Sequence, residues 1–244
     1  MWFATVDTVK GAEHEGIGVG GIRFSPDSKR VTHVAMRGDR QFVVLDGIAG
    51  KEYDSISSEA TVFSPDSRHV AYAAERSGKI VVVIDGIEGR EYDNIGNLRY
   101  SPDSRRFAYG AKRDGTWVVV VDGVETNIHA EGILEGNPVF SPDSKRIAYS
   151  PSRGDKRFVV VDGVEGPEVD GIPIGMPLFS PDSKHLIYKA DRGGKWFVAV
   201  DHADGKEYRG FLEGGSLRFE SPNLFTVPVV RGGEILRLEG EIME

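Results

Sequence analysis

The stretch Phe140-Ser141-Pro142-Asp143-Ser144-Lys145-Arg146-Ile147-Ala148-Tyr149 decides how this chain folds. Its opening Phe-Ser-Pro-Asp-Ser phrase recurs along the sequence, beginning at Phe24, Phe63 and Phe179, as Tyr-Ser-Pro-Asp-Ser at Tyr100, and as a degenerate copy at Phe219-Glu220-Ser221-Pro222-Asn223. Successive copies start 39, 37, 40, 39 and 40 residues apart. A period of this length is typical of propellers and solenoids.

Working outward from that stretch, one period predicts four β-strands. The fourth copy contains a first strand at 138–140, a turn at 141–144, a second strand at 146–149, a hairpin loop at 153–156, a third strand at 158–161 and a fourth strand around 168–170. The turn is predicted because proline presets φ and aspartate can hydrogen-bond its own backbone. The Asp162-Gly163 pair predicts the turn into the fourth strand, and the matching Asp46, Asp85, Asp122 and Asp201 are also interpreted as turn residues.

The third strands are apolar at successive positions, which indicates burial on both faces. They lie at 42–45, 80–84, 117–121, 158–161 and 196–200. A four-stranded sheet covered on both faces is a propeller blade. The sequence therefore predicts an all-β fold of six antiparallel blades.

The phrase that includes Phe140 to Tyr149 resembles the WD-repeat-like unit of TolB-type β-propellers, and the resemblance covers the chain from Ile22 to its end. It implies a single β-propeller domain over residues 1–244, with repeats starting near 22, 61, 98, 138, 177 and 216. The family usually has glycine after Ser-Pro-Asp, whereas five copies here have serine. Related repeats occur in binding scaffolds and as accessory domains of peptidases and lyases, so the resemblance implies the fold and leaves the function open.

Closure of the ring is less regular than the repeat. Text typical of a third strand occurs seven times, counting residues 2–6 and 234–238. We expect residues 1–21, with the strands in 2–17, to complete the last blade and tie the chain ends together. One third-strand segment is then surplus, as a fifth outer strand or as a remnant of a longer array.

Composition excludes several classes of protein. The chain has 244 residues, a net charge of −8 and no cysteine, which rules out disulfides, thiol catalysis and cysteine-ligated zinc. A negative chain does not attract a phosphate backbone, so we expect no nucleic-acid partner. No apolar run reaches the length of about 18 residues that a membrane span needs, and we expect no membrane association and a monomer. No secretory signal is visible, which leaves the compartment unknown because a removed signal peptide would leave the same text.

Three familiar motifs have architectural explanations. The Gly-x-Gly-x-x-Gly phrase at 16–21 precedes a strand and turn, whereas a dinucleotide site needs a helix there, so no cofactor is predicted. The serines and aspartates of the Ser-Pro-Asp turns recur in five copies, which favours a turn role over catalysis. The Arg-Gly-Asp triplets at 37–39 and 153–155 occupy a hairpin-loop position.

The six histidines do not cluster, so no metal site is predicted. His69 and His185 take the position held elsewhere by Arg30, Arg106 and Arg146, which we interpret as a basic surface position at the start of the second strand. His33 takes the position of a recurring tyrosine and is expected to pack in the interior.

One recurring residue is a candidate for ligand binding. An arginine occupies the loop between the second and third strands in all six copies, as Arg37, Arg76, Arg113, Arg153, Arg192 and Arg231. On a propeller these loops share one face, where each guanidinium could bind a carboxylate or phosphate in a bidentate manner. The alternative is a salt bridge between blades to a recurring acid such as Glu52, Glu91, Glu168 or Glu207.

Two classes of function remain. Uniform repeats without an assembled acid–base set favour a non-catalytic scaffold that binds a protein, a peptide or a small anion on one face or at the central channel. The alternative is a propeller enzyme, or the accessory domain of a lyase or peptidase. Its acids would come from loops between blades, which offer Glu135 and Glu213 but no histidine.

Overall fold

A computed structural model describes residues 5–6, 9–10, 14–18, 21–128, 130–133, 138–212, 215–231 and 234–243. These residues form strands and turns and contain no helix, hence none that could cross a membrane. The chain divides into two compact units, Met1–Gly115 with Val120–Val124 and Thr116–Val119 with Glu125–Glu244.

The first three repeats each form one antiparallel sheet. The first sheet contains Gly16–Ile17, Arg23–Phe24, Val31–Arg37, Arg40–Leu45 and Ile48–Ala49. The second contains Ser55–Phe63, Val70–Arg76, Lys79–Ile84 and Ile87–Tyr92. The third contains Asn94–Tyr100, Phe107–Arg113, Thr116–Val121 and Val124–Glu125.

The last three repeats follow the same plan with local departures. The fourth repeat contains Val139–Phe140, Ile147–Tyr149, Val160–Val161 and Val164–Glu165 in one sheet, and Gly132–Ile133, Pro151–Arg153 and Lys156–Arg157 in another. The fifth contains Leu178–Phe179, Leu186–Arg192, Lys195–Val200 and Ala203–Asp204. The sixth contains Arg218–Ser221, Leu224–Arg231 and Glu234–Glu241. The second strand of the fourth repeat is interrupted before Pro151, which has no N–H to donate to a neighbouring strand.

Within each four-stranded sheet, consecutive strands are neighbours, so the strand order is that of a propeller blade. The first strand pairs with the second in two stretches separated by a shift of register, for example between Ile56 and Thr61. The prediction of an all-β fold built from four-stranded antiparallel sheets is confirmed.

The third strands form the centre of each sheet, as their apolar runs predict. Val81, Val82 and Val83 are at most 2% exposed although their side chains alternate between the two faces. Both faces are therefore covered. Most of the described fourth strands have only two residues and are largely exposed, and short edge strands of this kind limit pairing with another chain.

The structure changes the expected roles of the chain ends. Gly16 and Ile17 pair with Met36 and Ala35 of the first repeat, so their placement in the last blade was wrong. Thr5–Val6 pairs with Val9–Lys10, and residues 1–4 lie outside the described residues. The segment 234–238 is the third strand of the sixth repeat, since Glu234–Glu241 pairs with Leu224–Arg231 along its full length.

Candidate functional site

Each Ser-Pro-Asp-Ser turn is held by one small set of hydrogen bonds. In the second repeat, Ser64 Oγ donates to Asp66 Oδ1 over 2.6 Å and accepts from the His69 amide over 2.9 Å. Asp66 Oδ1 also accepts from the Arg68 amide over 3.1 Å. The hydrogen bond from Ser64 lowers the pKa of Asp66. The other four complete copies repeat these contacts, which confirms the turn role of their serines and aspartates.

The same turn also connects one repeat to the next. The Asp27 amide donates to Ser67 Oγ over 3.0 Å, and the Asp66 amide donates to Ser104 Oγ over 2.9 Å. We call the contact surface between consecutive Ser-Pro-Asp-Ser turns a repeat junction. The second serine of each turn has a positive φ, 66° at Ser67, which is the conformation where glycine is favoured.

The aspartates at the ends of the third strands do more than form a turn. Asp46 Oδ1 accepts from the Val31 amide over 2.8 Å, and its Oδ2 accepts from Arg30 Nε over 2.9 Å. The aspartate thereby orients the Arg30 guanidinium, whose Nη1 donates to the Arg68 carbonyl in the next repeat over 2.7 Å. Arg146 makes the same contacts to Asp162 and Lys184.

The basic residue at the start of the second strand therefore contacts the next repeat at a repeat junction. Its interpretation as a surface residue alone was incomplete. His69 and His185 bind Asp85 and Asp201 through Nδ1 over 2.6 and 2.7 Å. His33 is 8% exposed, lies 5.8 Å from the ring of His14, and has its pKa lowered by burial, so its expected packing role is confirmed.

The candidate arginines lie at the opposite end of the second strand from the junctions. Four of these arginines form ion pairs with acids of their own repeat. The pairs are Arg37 with Glu52, Arg76 with Glu88 and Glu91, Arg153 with Glu165 and Glu168, and Arg192 with Asp204. Arg113 Nε lies 3.9 Å from Asp114, and the side chain of Arg231 lies outside the described residues.

These ion pairs differ from the expected ones in two respects. They join the second-strand hairpin to the fourth-strand region of the same repeat, whereas the sequence predicted salt bridges between blades. Glu52, Glu91 and Glu168 were named correctly, but Glu207 binds Lys195. Arg37, Arg153 and Arg192 also cover a third-strand phenylalanine, with Arg153 Cζ 4.7 Å from the centroid of Phe158.

Glu88 forms a cluster of ion pairs and hydrogen bonds at this end of the sheets. Its Oε1 accepts from Lys51 Nζ over 2.7 Å and from the Tyr53 hydroxyl over 2.8 Å, and its Oε2 accepts from Arg76 over 2.9 Å. These hydrogen bonds, that from Lys51 first, lower the pKa of Glu88 to about 2. The cluster joins the fourth strands of the first and second repeats.

Sequence reasoning missed Lys189, which is 6% exposed. Its Nζ donates to the Gly215 carbonyl and lies 5.1 Å from the centroid of Phe211, and burial lowers its pKa. The signal was present in the sequence, because the same position holds the uncharged residues Val34, Ala73, Gly110 and Ser150 in the preceding repeats.

The structure describes only some of the residues considered for other chemistries. Among the described residues, no group of three histidine, aspartate or glutamate side chains could hold a metal ion. Glu135 and Glu213, the acids of the enzyme alternative, lie outside the described residues.

Two open cavities lie between the first and second repeats. One, of about 230 Å³, is lined by Leu45, Ile48, Val70 and Tyr72 near the outer strands. The other, of about 450 Å³, is lined by Arg23, Phe24, Pro26, Thr61, Val62 and Phe63 at the first strands.

No protein-family model and no curated protein sequence matches the chain. Among solved structures, the chain is similar to TolB from Acinetobacter baumannii, with 18% identity, a TM-score of 0.43, and coverage of 76% of this chain and 53% of that one. It is also similar to the Dos1 propeller (11% identity, TM-score 0.48, coverage 93% and 71%) and to the β-propeller domain of the Trilobed protease from Pyrococcus furiosus (14%, 0.46, 91% and 81%). The chain thus spans about half the length of the TolB structure, and TolB is the family that the Ser-Pro-Asp phrase resembles.

Proposed function

We propose that the six repeats are the six blades of one closed propeller, and that the protein is a non-catalytic scaffold. Its partner is a protein or peptide bound on the face that carries Arg37, Arg76, Arg113, Arg153, Arg192 and Arg231. We propose further that residues near the N-terminus supply the fourth strand of the sixth sheet.

The pairing of the arginines with carboxylates supports a protein partner over a small anion. Arg76 already donates to two glutamates, and its side chain is 34% exposed. A small anion would have to displace those carboxylates, so the gain in electrostatic energy would be small. A protein surface that carries both charges can instead contact the guanidinium edge and the glutamate oxygens together.

The double substitution Arg76→Glu/Arg153→Glu tests this face. The parent, this variant and Lys145→Glu, which changes a lysine 82% exposed at the other end of the sheets, are immobilised and exposed to extract from the source cells. We expect proteins retained by the parent and by Lys145→Glu to be lost from the double variant. Retention that is equal on all three proteins would contradict the proposal.

Adding phosphate tests the alternative that the face binds a small anion instead of a protein. We expect phosphate to raise the Tm of the parent by less than about 1 °C at moderate ionic strength. A rise of several degrees that disappears in Arg76→Ala/Arg153→Ala would assign the face to a small anion.

A further inference from the structure

The cavity of about 230 Å³ is a groove between the outer strands of the first and second repeats. Gly50 of the first repeat lines it, together with Tyr72 and Gly86 of the second. A Cβ atom at Gly50 would lie 3.7 Å from the Tyr72 hydroxyl oxygen, so this hydroxyl lies beside the glycine. A cavity of about 150 Å³ can hold a benzene ring, so the groove is large enough for one aromatic side chain.

A histidine of the chain itself occupies the equivalent groove between the fourth and fifth repeats. The equivalent positions are Gly50 and Gly166, Tyr72 and Tyr188, and Gly86 and His202. The His202 ring lies so close to Gly166 that a Cβ there would overlap it. Nδ1 of His202 lies 3.3 Å from the Tyr188 hydroxyl, and the two rings meet edge to face with centroids 6.2 Å apart. A groove with this lining therefore accepts an imidazole ring.

The turn that carries His202 has the same backbone handedness as the turn at the open groove. His202 has a φ of 71° and Gly86 has a φ of 83°, both in the left-handed region that glycine favours. Burial lowers the pKa of His202, so its ring occupies the groove in the neutral form. At Gly86 the backbone is similar but there is no side chain to fill the groove.

Large apolar side chains flank the open groove. Ile48 lines the cavity and Ile87 follows Gly86, and each is 75% exposed. Beside the filled groove, the position of Ile87 holds the smaller Ala203. Exposed apolar residues around an unfilled apolar cavity are typical of a surface that another protein covers.

The open groove does not depend on how the ring closes. All of its lining residues belong to the first compact unit. Leu45 lines the groove and pairs with Thr32, whose hydroxyl bonds that of Thr61 in the second repeat. The groove is therefore on the face of the first sheet that meets the second repeat, whereas a closed ring would bring the sixth repeat to the opposite face.

We propose that this groove binds a histidine side chain that a partner protein presents from a turn. The imidazole lies against Gly50, and one ring nitrogen forms a hydrogen bond with the Tyr72 hydroxyl, which can donate or accept. Ile48 and Ile87 contact the residues that flank the histidine in the partner.

This site is separate from the arginine face. Val70 lines the groove at one end of the second strand Val70–Arg76, and Arg76 lies at the other end. At roughly 3.3 Å per residue, the two ends are about 20 Å apart. Loss of binding at one surface can therefore be distinguished from loss at the other.

The test uses a cyclic peptide containing Val-Asp-His-Ala-Asp, the text of residues 200–204, and the same peptide with glycine in place of histidine. Binding to the full chain is followed by the NMR chemical shifts of the Gly50 and Gly86 amides. We expect saturable shifts with the histidine peptide and an affinity at least about tenfold lower with the glycine peptide.

Three variants locate the binding, which is measured at the Gly50 amide. Gly86→His fills the groove from within, as His202 does in its own groove, and should weaken the histidine peptide at least about tenfold. Tyr72→Phe keeps the ring but removes the hydroxyl, and should weaken it about three- to tenfold. Gly78→His is the matched control, because Gly78 also has a positive φ, 75°, but the described residues leave open space around it. It should bind as the parent does.

His202→Gly provides a reference within the same protein. It empties the filled groove, and we expect free imidazole to shift the Gly166 amide in this variant and not in the parent. Failure of imidazole to bind there would show that such a groove has no affinity for the ring, and would overturn the proposal.

Two further results would contradict it. One is equal affinity for the two peptides, or unchanged affinity in Gly86→His. The other is free imidazole that binds at Gly50 as tightly as the histidine peptide, which would assign the groove to a small ligand instead of a partner protein.

Discussion

Ser67 Oγ accepts a hydrogen bond of 3.0 Å from the amide of Asp27, which lies 40 residues earlier in the chain. This contact explains why serine replaces the glycine usual after Ser-Pro-Asp. A φ of 66° is unfavourable for serine, but glycine would leave the Asp27 amide without its acceptor. The hydrogen bond between repeats offsets the local strain.

The matched pair Ser67 and Ser28 tests this balance. Ser67→Ala loses the acceptor and keeps the strain, so we expect the free energy of unfolding to fall by about 1–3 kcal/mol. Ser67→Gly relieves the strain and should lose less. Ser28→Gly relieves strain at an exposed position and should raise the free energy of unfolding by about 0.5 kcal/mol. Urea unfolding measures all three, and equal losses in Ser67→Gly and Ser28→Gly would refute the explanation.

The Glu88 cluster predicts a specific dependence of stability on pH. Because the folded pKa is about 2, below the ordinary value of 4.5, the carboxylate stabilises the fold fully above pH 4.5 and loses this effect as pH falls toward 2. We expect Glu88→Gln to lower Tm at pH 7, and the difference from the parent to shrink between pH 4.5 and 2. Glu91→Gln, which removes a more exposed partner of Arg76, is the control with a smaller effect. A pH-independent difference would contradict this assignment.

Lys189 predicts a response at alkaline pH. Burial lowers its pKa from 10.5, so the unfolded chain binds more protons just below that value, and stability rises with pH there. We expect the parent to gain stability relative to Lys189→Met as pH rises from 8 toward 10. Lys189→Ala also lacks the ammonium and leaves a cavity, so its free energy of unfolding should lie about 2 kcal/mol below that of Lys189→Met at any pH. If the free energies of unfolding of the parent and of Lys189→Met ran parallel with pH, burial of the ammonium would not destabilise the fold.

Arg146 tests the importance of a planar cation at a repeat junction. Arg146→Lys keeps the charge but loses the fork that reaches Asp162 and the Lys184 carbonyl together. We expect a loss of about 1–2 kcal/mol by urea unfolding, compared with less than about 0.5 kcal/mol for Lys145→Arg next to it. Stability unchanged in Arg146→Lys would mean that charge alone is sufficient.

The proposed ring closure is tested by deleting residues 1–13. The outer strand Glu234–Glu241 of the sixth sheet carries Ile235, which is 63% exposed. An unpaired strand edge of this kind promotes association. We expect the deletion variant to aggregate or to melt many degrees lower than the parent, as measured by light scattering and calorimetry. A monomeric variant with the Tm of the parent would rule out this closure.

The sequence by itself determined the features that depend on local chemistry. The recurrence of Phe-Ser-Pro-Asp-Ser established the number and length of the repeats. Proline, aspartate and glycine located the turns, because these residues restrict or permit particular φ values wherever they occur. Consecutive valines such as 81–83 indicated strands buried on both faces. The candidate arginines could be found in this way, since they recur at one position.

Only the tertiary structure decided which side chains meet. Arg76 binds Glu88 as well as Glu91, although the two acids face different residues of the intervening strand, Val83 and Val81, and a repeat pattern does not show that one guanidinium reaches both. Arg30 and Arg37 are both arginines at recurring basic positions, yet Arg30 reaches the next repeat while Arg37 binds Glu52 in its own. The difference arises because side-chain direction depends on the packing of whole sheets, and that packing joins residues about 40 positions apart.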